Sequence, residues 1–283
     1  MSKTVNAKDF RAVRQILTAD DFADVPADPT DPDELRDRLV DQGVWHSLQD
    51  LPDTVSIFTS GLHGPELALQ DEFHNEWIKT TAYDENDNLL SDVVREVAFD
   101  AETEWQAAIF SALHGYYRQA IGTLRNGLEG CVVAARYQAD SSDPFYLEWS
   151  KGNRRTVFAN LCEQIANRAG KAMNSALQAK GLRAFIDQSK TPSWVYALYE
   201  QLCNPAHSRP GYTHADYWSG SNGPIYERES FLRFHVLFLE TLSAGWLLCK
   251  MVRPTLRIPP KMTAMINARK FGDEAKEICD ILN

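Results

Sequence analysis

The chain has 283 residues, of which 44% are hydrophobic, and its 39 Asp and Glu against 29 Lys and Arg give a net charge of −10. A chain of this size and apolar content can bury a sizeable core, as one large domain or two small ones. A domain dedicated to nucleic acid is usually more basic. No uninterrupted apolar stretch is long enough to span a membrane, and the N-terminus lacks an apolar signal region. We therefore predict a cytoplasmic protein with no membrane partner.

The charge is unevenly distributed along the chain. Residues 1–104 hold 24 Asp and Glu against 8 Lys and Arg, whereas residues 105–283 hold 15 against 21. The acidic part could fold back on the basic part, or the basic part could face a phosphate-bearing ligand. Both parts could equally be solvated surfaces, so the sequence leaves three interpretations open.

The five cysteines are scattered singly and form no Cys-x-x-Cys pair. Most of them lie within apolar runs, so we expect buried thiols in a reducing compartment, and no feature marks one of them as catalytic. They are Cys131, Cys162, Cys203, Cys249 and Cys279.

Residues 1–99 are predicted to form an acidic, partly irregular N-terminal annex that packs on the core. Asn6 can cap a short helix, and residues 20–32 are rich in Asp, Ala and Pro, as linkers are. Asp31-Pro32 then favours the start of a second helix, with Asp as the cap and Pro at the first helical position.

Helical periodicity dominates the remaining chain. A proline-free helix is predicted over 101–137, with Asp100 as its cap, and further helices are predicted near 154–179, 192–203 and 227–252. Two short helices close the chain. Residues 100–283 are therefore predicted to be a helical bundle domain, and the fold class is all-α, with an antiparallel helical bundle as its core.

Two stripes with helical spacing run along the predicted helix over 101–137. The polar stripe consists of His114, Arg118, Arg125 and Glu129, and it lies beside the apolar one, at the edge of the core. Charges that are half-buried in this way must pair with one another or hold a ligand. The two outcomes are an internal Arg–Glu network and a ligand site. The apolar stripe consists of Phe110, Leu113, Tyr117, Ile121, Leu124, Leu128 and Val132.

Four glycines interrupt the same predicted helix, and each costs about 1 kcal/mol relative to alanine in a helix interior. Their presence favours the close approach of another backbone or of a ligand. They are Gly115, Gly122, Gly127 and Gly130.

The long loop over 204–226 is the second candidate site. Its aromatic and proline content favours order, and it carries His207 and Arg209 together with other polar groups. We predict that His207 and Arg209 fold over Arg118, Arg125 and Glu129, although a purely structural cover is the alternative. The loop's His and Asp residues match no zinc spacing, and the sequence has no phosphate-binding or dinucleotide glycine motif, so neither a metal nor a cofactor is predicted.

Two stretches resemble a known group of proteins. Tyr116-Tyr117-Arg118-Gln-Ala, followed by Leu124-Arg125 and Leu128-Glu129, looks like a helix of many bacterial all-helical proteins of unknown function. Tyr199-Glu-Gln-Leu-Cys-Asn-Pro-Ala-His207 looks like a later helix of the same proteins. Together, over residues 101–252, they distantly resemble the HEPN superfamily of four-helix bundles. Its members are often ribonucleases of toxin–antitoxin and antiphage systems, and they often form homodimers.

The catalytic signature of that superfamily is an Arg and a His separated by four to six residues. The helix before His207 offers Glu200 and Gln201 but no Arg. Arg209 and His214 match the spacing within a Pro-Gly loop, and Arg228 and His235 match it at the start of the last long helix. The resemblance thus implies His207, Arg228 and His235 as candidate catalytic residues.

Two functional hypotheses follow. The favoured one is a binding or regulatory protein, whose pocket of His114, Arg118, Arg125, Glu129 and the 207–209 segment takes RNA, a small anionic ligand or a segment of a partner protein. The alternative is metal-independent RNA cleavage, with His207 or His235 as the acid or base and an arginine stabilising the phosphate.

Overall fold

The computed structural model describes residues 42–155, 157–188, 192–206 and 224–283. In these ranges the chain is mainly helical and contains no strand, and an isolated bridge joins Tyr83 and Leu89. The predicted all-α class is confirmed. Asn6, Asp31-Pro32, His207 and Arg209 lie outside the described residues.

Asp50–Asn283 forms one compact unit. The described residues before it form a short helix, Gln42–Trp45, followed by a π-helical turn, His46–Asp50. The helices of the large unit are α1 (Leu51–Leu62), α2 (Gly64–Thr81), α3 (Val93–Leu113), α4 (Tyr117–Tyr137), α5 (Pro144–Ser150), α6 (Phe158–Ala166), α7 (Lys171–Ala179), α8 (Trp194–Ala206), α9 (Arg228–Val252), α10 (Pro260–Asn267) and α11 (Gly272–Leu282).

Helix α4 lies at the centre of the large unit. It packs most extensively on α3, and then on α9 and α8. Four tryptophans, one each from α2, α3, α8 and α9, are almost completely buried in the same core, where their area contributes strongly to stability. They are Trp77, Trp105, Trp194 and Trp246. This packing is consistent with the predicted bundle.

The predicted single helix over 101–137 is wrong, because the chain breaks at residues 114–116. Gly115 has a φ of +83°, which side-chain-bearing residues rarely adopt, and an added Cβ would lie 2.9 Å from the carbonyl oxygen of Ile225. Glycine is therefore required here for a turn against neighbouring backbone. The helix before the turn also starts earlier than predicted, with Asp92 as its cap, since Asp92 Oδ1 accepts the N–H of Arg95 at 2.8 Å.

Because of the break, the predicted apolar stripe does not face the core along its whole length. From Tyr117 to Val132 the predicted stripe is buried, as expected. Before the turn the prediction fails, since Phe110 is 62% exposed and Leu113 is only partly buried. The two halves belong to different helices, so one helical period cannot describe both.

The predicted boundary between residues 99 and 100 lies inside α3. Val97 and Ala101, on either side of it, share the core with Phe73 and Trp77 of α2. Residues 51–99 thus belong to the bundle, because their apolar faces complete its core.

Two of the helical glycines allow α3 to approach α4. A Cβ on Gly127 would lie 2.4 Å from ring carbons of Trp105, and one on Gly130 would lie 3.0 Å from Val97 Cγ1. Gly122 faces open space. At Gly127 and Gly130 the neighbour is thus a side chain, and neither a ligand nor another backbone.

Helix α9 is the longest helix described, and its sequence is largely apolar. Among the described residues it alone is long and apolar enough to cross a membrane, and 72% of its most apolar window is buried inside the bundle. Length and composition alone do not separate such a helix from the core helix of a bundle.

The five cysteines are all buried and free. The prediction of buried thiols without disulfides is therefore confirmed.

Candidate functional site

The candidate site lies where α4 meets α8, and we call Arg125, Glu129 and Tyr199 the seam cluster. The hydroxyl of Tyr199 donates to Glu129 Oε1 at 2.7 Å, and Arg125 Nε lies 3.6 Å from the same oxygen. Arg125 and Glu129 share a face because they are four residues apart in one helix. The predicted polar stripe thus brings these two residues together as expected.

Tyr199 is fixed from both sides. Its ring stacks on Phe158 of α6, with centroids 3.7 Å apart and an interplanar angle of 8°, and the guanidinium carbon of Arg125 lies 5.8 Å from its centroid. Burial and the hydrogen bond to Glu129 raise the pKa of Tyr199 well above its usual value. The hydroxyl is therefore a protonated donor at neutral pH.

Cys203 lies one turn beyond Tyr199 on α8. Burial raises the pKa of its thiol, while the Tyr199 hydroxyl and the Arg125 guanidinium act in the opposite direction. The thiol is therefore protonated at neutral pH and is a poor nucleophile.

The seam cluster is not saturated by its protein contacts. Arg125 Nε is buried without a hydrogen-bond acceptor in the described part of the chain. Both contacts of Glu129 use Oε1. The side chains of Arg125 and Glu129 are 25% and 37% exposed, so a small molecule can reach both. A buried donor without a partner costs about 1–3 kcal/mol, so the pair is poorly satisfied, and the part of Arg125 that a ligand can reach is the rest of its side chain.

Glu129 also borders a cavity of about 170 Å³ between α3 and α4. Asn126, Asp100, Glu104 and Trp149 line the same cavity, and Asn126 Nδ2 donates to Glu104 Oε2 at 3.3 Å. Burial raises the pKa of Glu104, with a smaller contribution from Asp100. The polar lining of this cavity is rich in acceptors, so it suits hydrogen-bond donors.

His114 and Arg118 lie away from this cluster. His114 ends α3, where its Nδ1 is 2.8 Å from the carbonyl oxygen of Phe110 and its Nε2 is 3.9 Å from Asp53 Oδ1. The turn at Gly115 therefore removes it from the α4 stripe. Arg118 is half-buried in the first turn of α4, two turns before Arg125.

The predicted meeting of the seam with His207 and Arg209 stays a prediction. Helix α8 ends at Ala206, and the next 17 residues, 207–223, are outside the described part of the chain.

Arg228 and His235, the candidate catalytic pair, lie on α9. Arg228 is the exposed first residue of the helix. His235 is half-buried, and its Nδ1 lies 2.9 Å from Nε2 of the fully buried Gln70. Burial lowers the pKa of His235, so its ring is mainly neutral at pH 7. Six residues lie between Arg228 and His235, so the two are about two helical turns, or about 10 Å along the axis, apart.

A group around His63 was not found from the sequence. His63 Nε2 lies 2.8 Å from the Tyr226 hydroxyl, its Nδ1 is 3.8 Å from Glu66 Oε2, and its ring stacks on Phe231 at 4.4 Å. The charges of Glu66 and His63 also act on His235. His63 precedes the Gly64-Pro65 helix start, which indicates a helix boundary but gives no sign of its partners.

No cluster of three or more His, Cys, Asp or Glu residues in the described ranges could hold a metal ion.

No protein-family model matches the chain, and neither curated proteins nor solved structures give a match. The function is therefore inferred from the residues of the site alone.

Proposed function

We propose that the protein is a helical binding or regulatory protein whose seam cluster takes a nucleobase-like ligand. Such a ligand has an acceptor and a donor side by side on one planar edge. Arg125 would donate to the acceptor, and Glu129 would accept from the donor.

The incomplete pairing of Arg125 carries this proposal: its Nε is buried without a hydrogen-bond acceptor, while its side chain remains 25% exposed. A guanidinium is a planar set of donors that suits a ring acceptor such as O6 of guanine. Glu129, which lies 3.6 Å away, supplies an acceptor beside it. A charge pair that only stabilised the fold would be expected to have its buried donors used by protein acceptors.

The seam also favours binding over covalent chemistry. Its hydroxyl, on Tyr199, is a hydrogen-bond donor with a raised pKa, and its thiol, on Cys203, also has a raised pKa. Neither group is activated as a nucleophile.

The test uses calorimetric titration of the full chain with the four nucleosides, which carry no phosphate. We expect binding with a preference for guanosine, because one edge of guanine carries the acceptor O6 for Arg125 beside the N1–H and N2–H donors for Glu129. Arg125→Met should weaken binding about 10- to 100-fold, as the loss of charge-assisted hydrogen bonds implies. Glu129→Gln should reduce the preference for guanosine.

The matched control is Arg269→Met, which removes an exposed arginine paired with Asp273 in the C-terminal region. It should bind as the wild type does. If no nucleoside binds the wild type, or if Arg125→Met binds unchanged, the seam cluster is only structural.

RNA cleavage is the second candidate, favoured by one arrangement: His63 stacks on Phe231, one turn before His235 on α9, and the Tyr226 hydroxyl contacts His63. Two histidines can serve as acid and base in phosphodiester cleavage without a metal. A role in a toxin–antitoxin or antiphage system follows only from the resemblance.

A cleavage assay with single-stranded RNA distinguishes the two functions. The ribonuclease hypothesis predicts activity in the wild type that is lost in His63→Ala and in His235→Ala, and retained in a variant of the exposed His46. Absence of wild-type cleavage, with folding verified by circular dichroism, would rule it out.

A further inference from the structure

A second cavity, of about 150 Å³, lies where α5 and the residues after it approach α6. Arg154 and Arg155 line it together with Asn160 and Gln164 of α6, and Phe145 and Tyr137 complete its aromatic part. None of its lining residues is acidic. This is a positively charged cavity in a chain whose net charge is −10.

The two arginines at this cavity have no carboxylate partner among the described residues. Arg155 is exposed, and Arg154 is held with its guanidinium carbon 3.9 Å from the centroid of the Phe145 ring. The contact with an aromatic face orients Arg154 and leaves its in-plane N–H donors available. Two guanidiniums in this arrangement match a doubly charged anion.

A buried arginine lies behind the cavity. Arg136 donates through Nε to Gln164 Oε1 and through Nη2 to Asp143 Oδ2, the latter at 3.2 Å. Asp143 balances the charge of Arg136, so the excess positive charge comes from Arg154 and Arg155. Because its Oε1 accepts from Arg136, Gln164 has its amide N–H groups left as donors.

The start of α6 adds further donors. Val157 occupies the cap position, where its side chain makes no capping hydrogen bond, while Asn160 lies within the first turn and lines the cavity. Uncapped N–H groups at a helix start favour an anion. These N–H groups would strengthen the binding of an anion, which depends mainly on the two arginines.

We propose that this cavity binds a terminal phosphate monoester that carries an aromatic ring, as a nucleoside 5′-monophosphate does. The volume suits a phosphate group, with the rest of the ligand outside. Val157 and Phe145, which are 59% and 46% exposed, offer an apolar rim for the ring. The proposal is independent of the nucleobase site at the seam cluster.

Calorimetric titration at fixed ionic strength tests the proposal. The probes are AMP, adenosine, inorganic phosphate, and one short oligonucleotide with and without a 5′-phosphate. We expect AMP to bind, adenosine not to compete for this cavity, and inorganic phosphate to bind more weakly than AMP. The 5′-phosphorylated oligonucleotide should bind more tightly than its unphosphorylated form if the phosphate is what the cavity holds.

The double variant Arg154→Ala/Arg155→Ala should weaken AMP binding at least about 10-fold, because two charge-assisted contacts are lost. The control Arg257→Ala/Arg269→Ala makes the same change in net charge at exposed arginines that pair with Glu85 and Asp273. It should bind AMP as the wild type does.

Three results would overturn the proposal: no AMP binding by the wild type, equal losses in the two double variants, or equal binding of the two oligonucleotides. Equal affinity for AMP and inorganic phosphate would show that the apolar rim does not contribute to binding. Arg125→Met should leave the phosphate-dependent part of AMP binding intact, so a failure at the seam cluster is distinguishable from a failure here.

Discussion

Two arginine–carboxylate pairs of the bundle differ in how fully their polar atoms are used. Arg253, after α9, donates through Nη1 to Asp92 Oδ2 at 3.1 Å and through Nη2 to the carbonyl oxygen of Thr81. Asp92 also caps α3 and accepts from Gln138 Nε2. We call Arg253, Asp92 and Thr81 the anchor. It connects the ends of α2, α3 and α9, and its acceptors are occupied by protein donors.

The seam cluster contrasts with the anchor at every point. Its guanidinium and carboxylate are 3.6 Å apart, one guanidinium nitrogen is buried without an acceptor, and both side chains remain reachable from solvent. A satisfied buried pair is expected to support folding, whereas an unsatisfied, reachable pair is suited to binding. The pairing of an arginine with a carboxylate therefore does not by itself identify a structural role.

The largest expected effect is at the anchor. Asp92→Ala leaves Arg253 buried without its carboxylate and removes the cap of α3, so unfolding in urea should show a loss of about 3–5 kcal/mol. The control is Glu85→Ala, which breaks an exposed pair with Arg257 and should change stability by less than about 1 kcal/mol. A loss below about 1 kcal/mol in Asp92→Ala would remove the contrast between anchor and seam.

The next effect concerns the helix packing between the two seam residues of α4. Gly127→Ala places a Cβ against the Trp105 ring and should cost about 1–3 kcal/mol through overpacking. Gly122→Ala, in the same helix but facing open space, should stabilise by up to about 1 kcal/mol. Thermal unfolding compares the two variants, and equal effects would show that the packing of α3 on α4 does not require glycine at residue 127.

A smaller effect is expected at the seam cluster itself. Arg125→Met keeps much of the packing volume and removes an unsatisfied charge, so its unfolding free energy should lie within about 1 kcal/mol of the wild type. A loss of unfolding free energy comparable to that of Asp92→Ala in the same urea assay would show that the seam cluster stabilises the fold as the anchor does.

The smallest effect is a pH dependence from Glu104, beside the seam. Burial raises its pKa above the ordinary value of 4.5, so the folded state binds this proton more tightly than the unfolded state does. The resulting stabilisation is complete below pH 4.5 and is lost as the pH rises through the folded pKa. Glu104→Gln should flatten this part of the stability curve, measured by urea midpoints. An unchanged curve would show that Glu104 does not contribute.

Much of the fold could be predicted from apolar spacing. The long apolar run of α9, the helix start at Gly64 and the burial of Leu124 and Leu128 follow from patterns of a few residues. The turn at Gly115 could not be predicted, because in sequence it does not differ from Gly127, which is helical. The difference lies in the neighbours: backbone near Gly115 and an indole ring against Gly127.

The candidate site was predictable only in part. Arg125 and Glu129 share a face because of local geometry. Tyr199 was not identified as their partner, because which residue of α8 faces α4 depends on how the two helices pack. The same holds for His63 and Tyr226, which lie 163 residues apart in the sequence.

The turn at residues 114–116 also bears on how the chain folds. It joins two helices of 21 residues each, and these form the most extensive helix–helix contact described in the chain. Closing such a short connection costs little chain entropy, and contacts between sequence neighbours form quickly. We therefore expect the α3–α4 hairpin to form early and to act as the surface on which α8 and α9 later assemble.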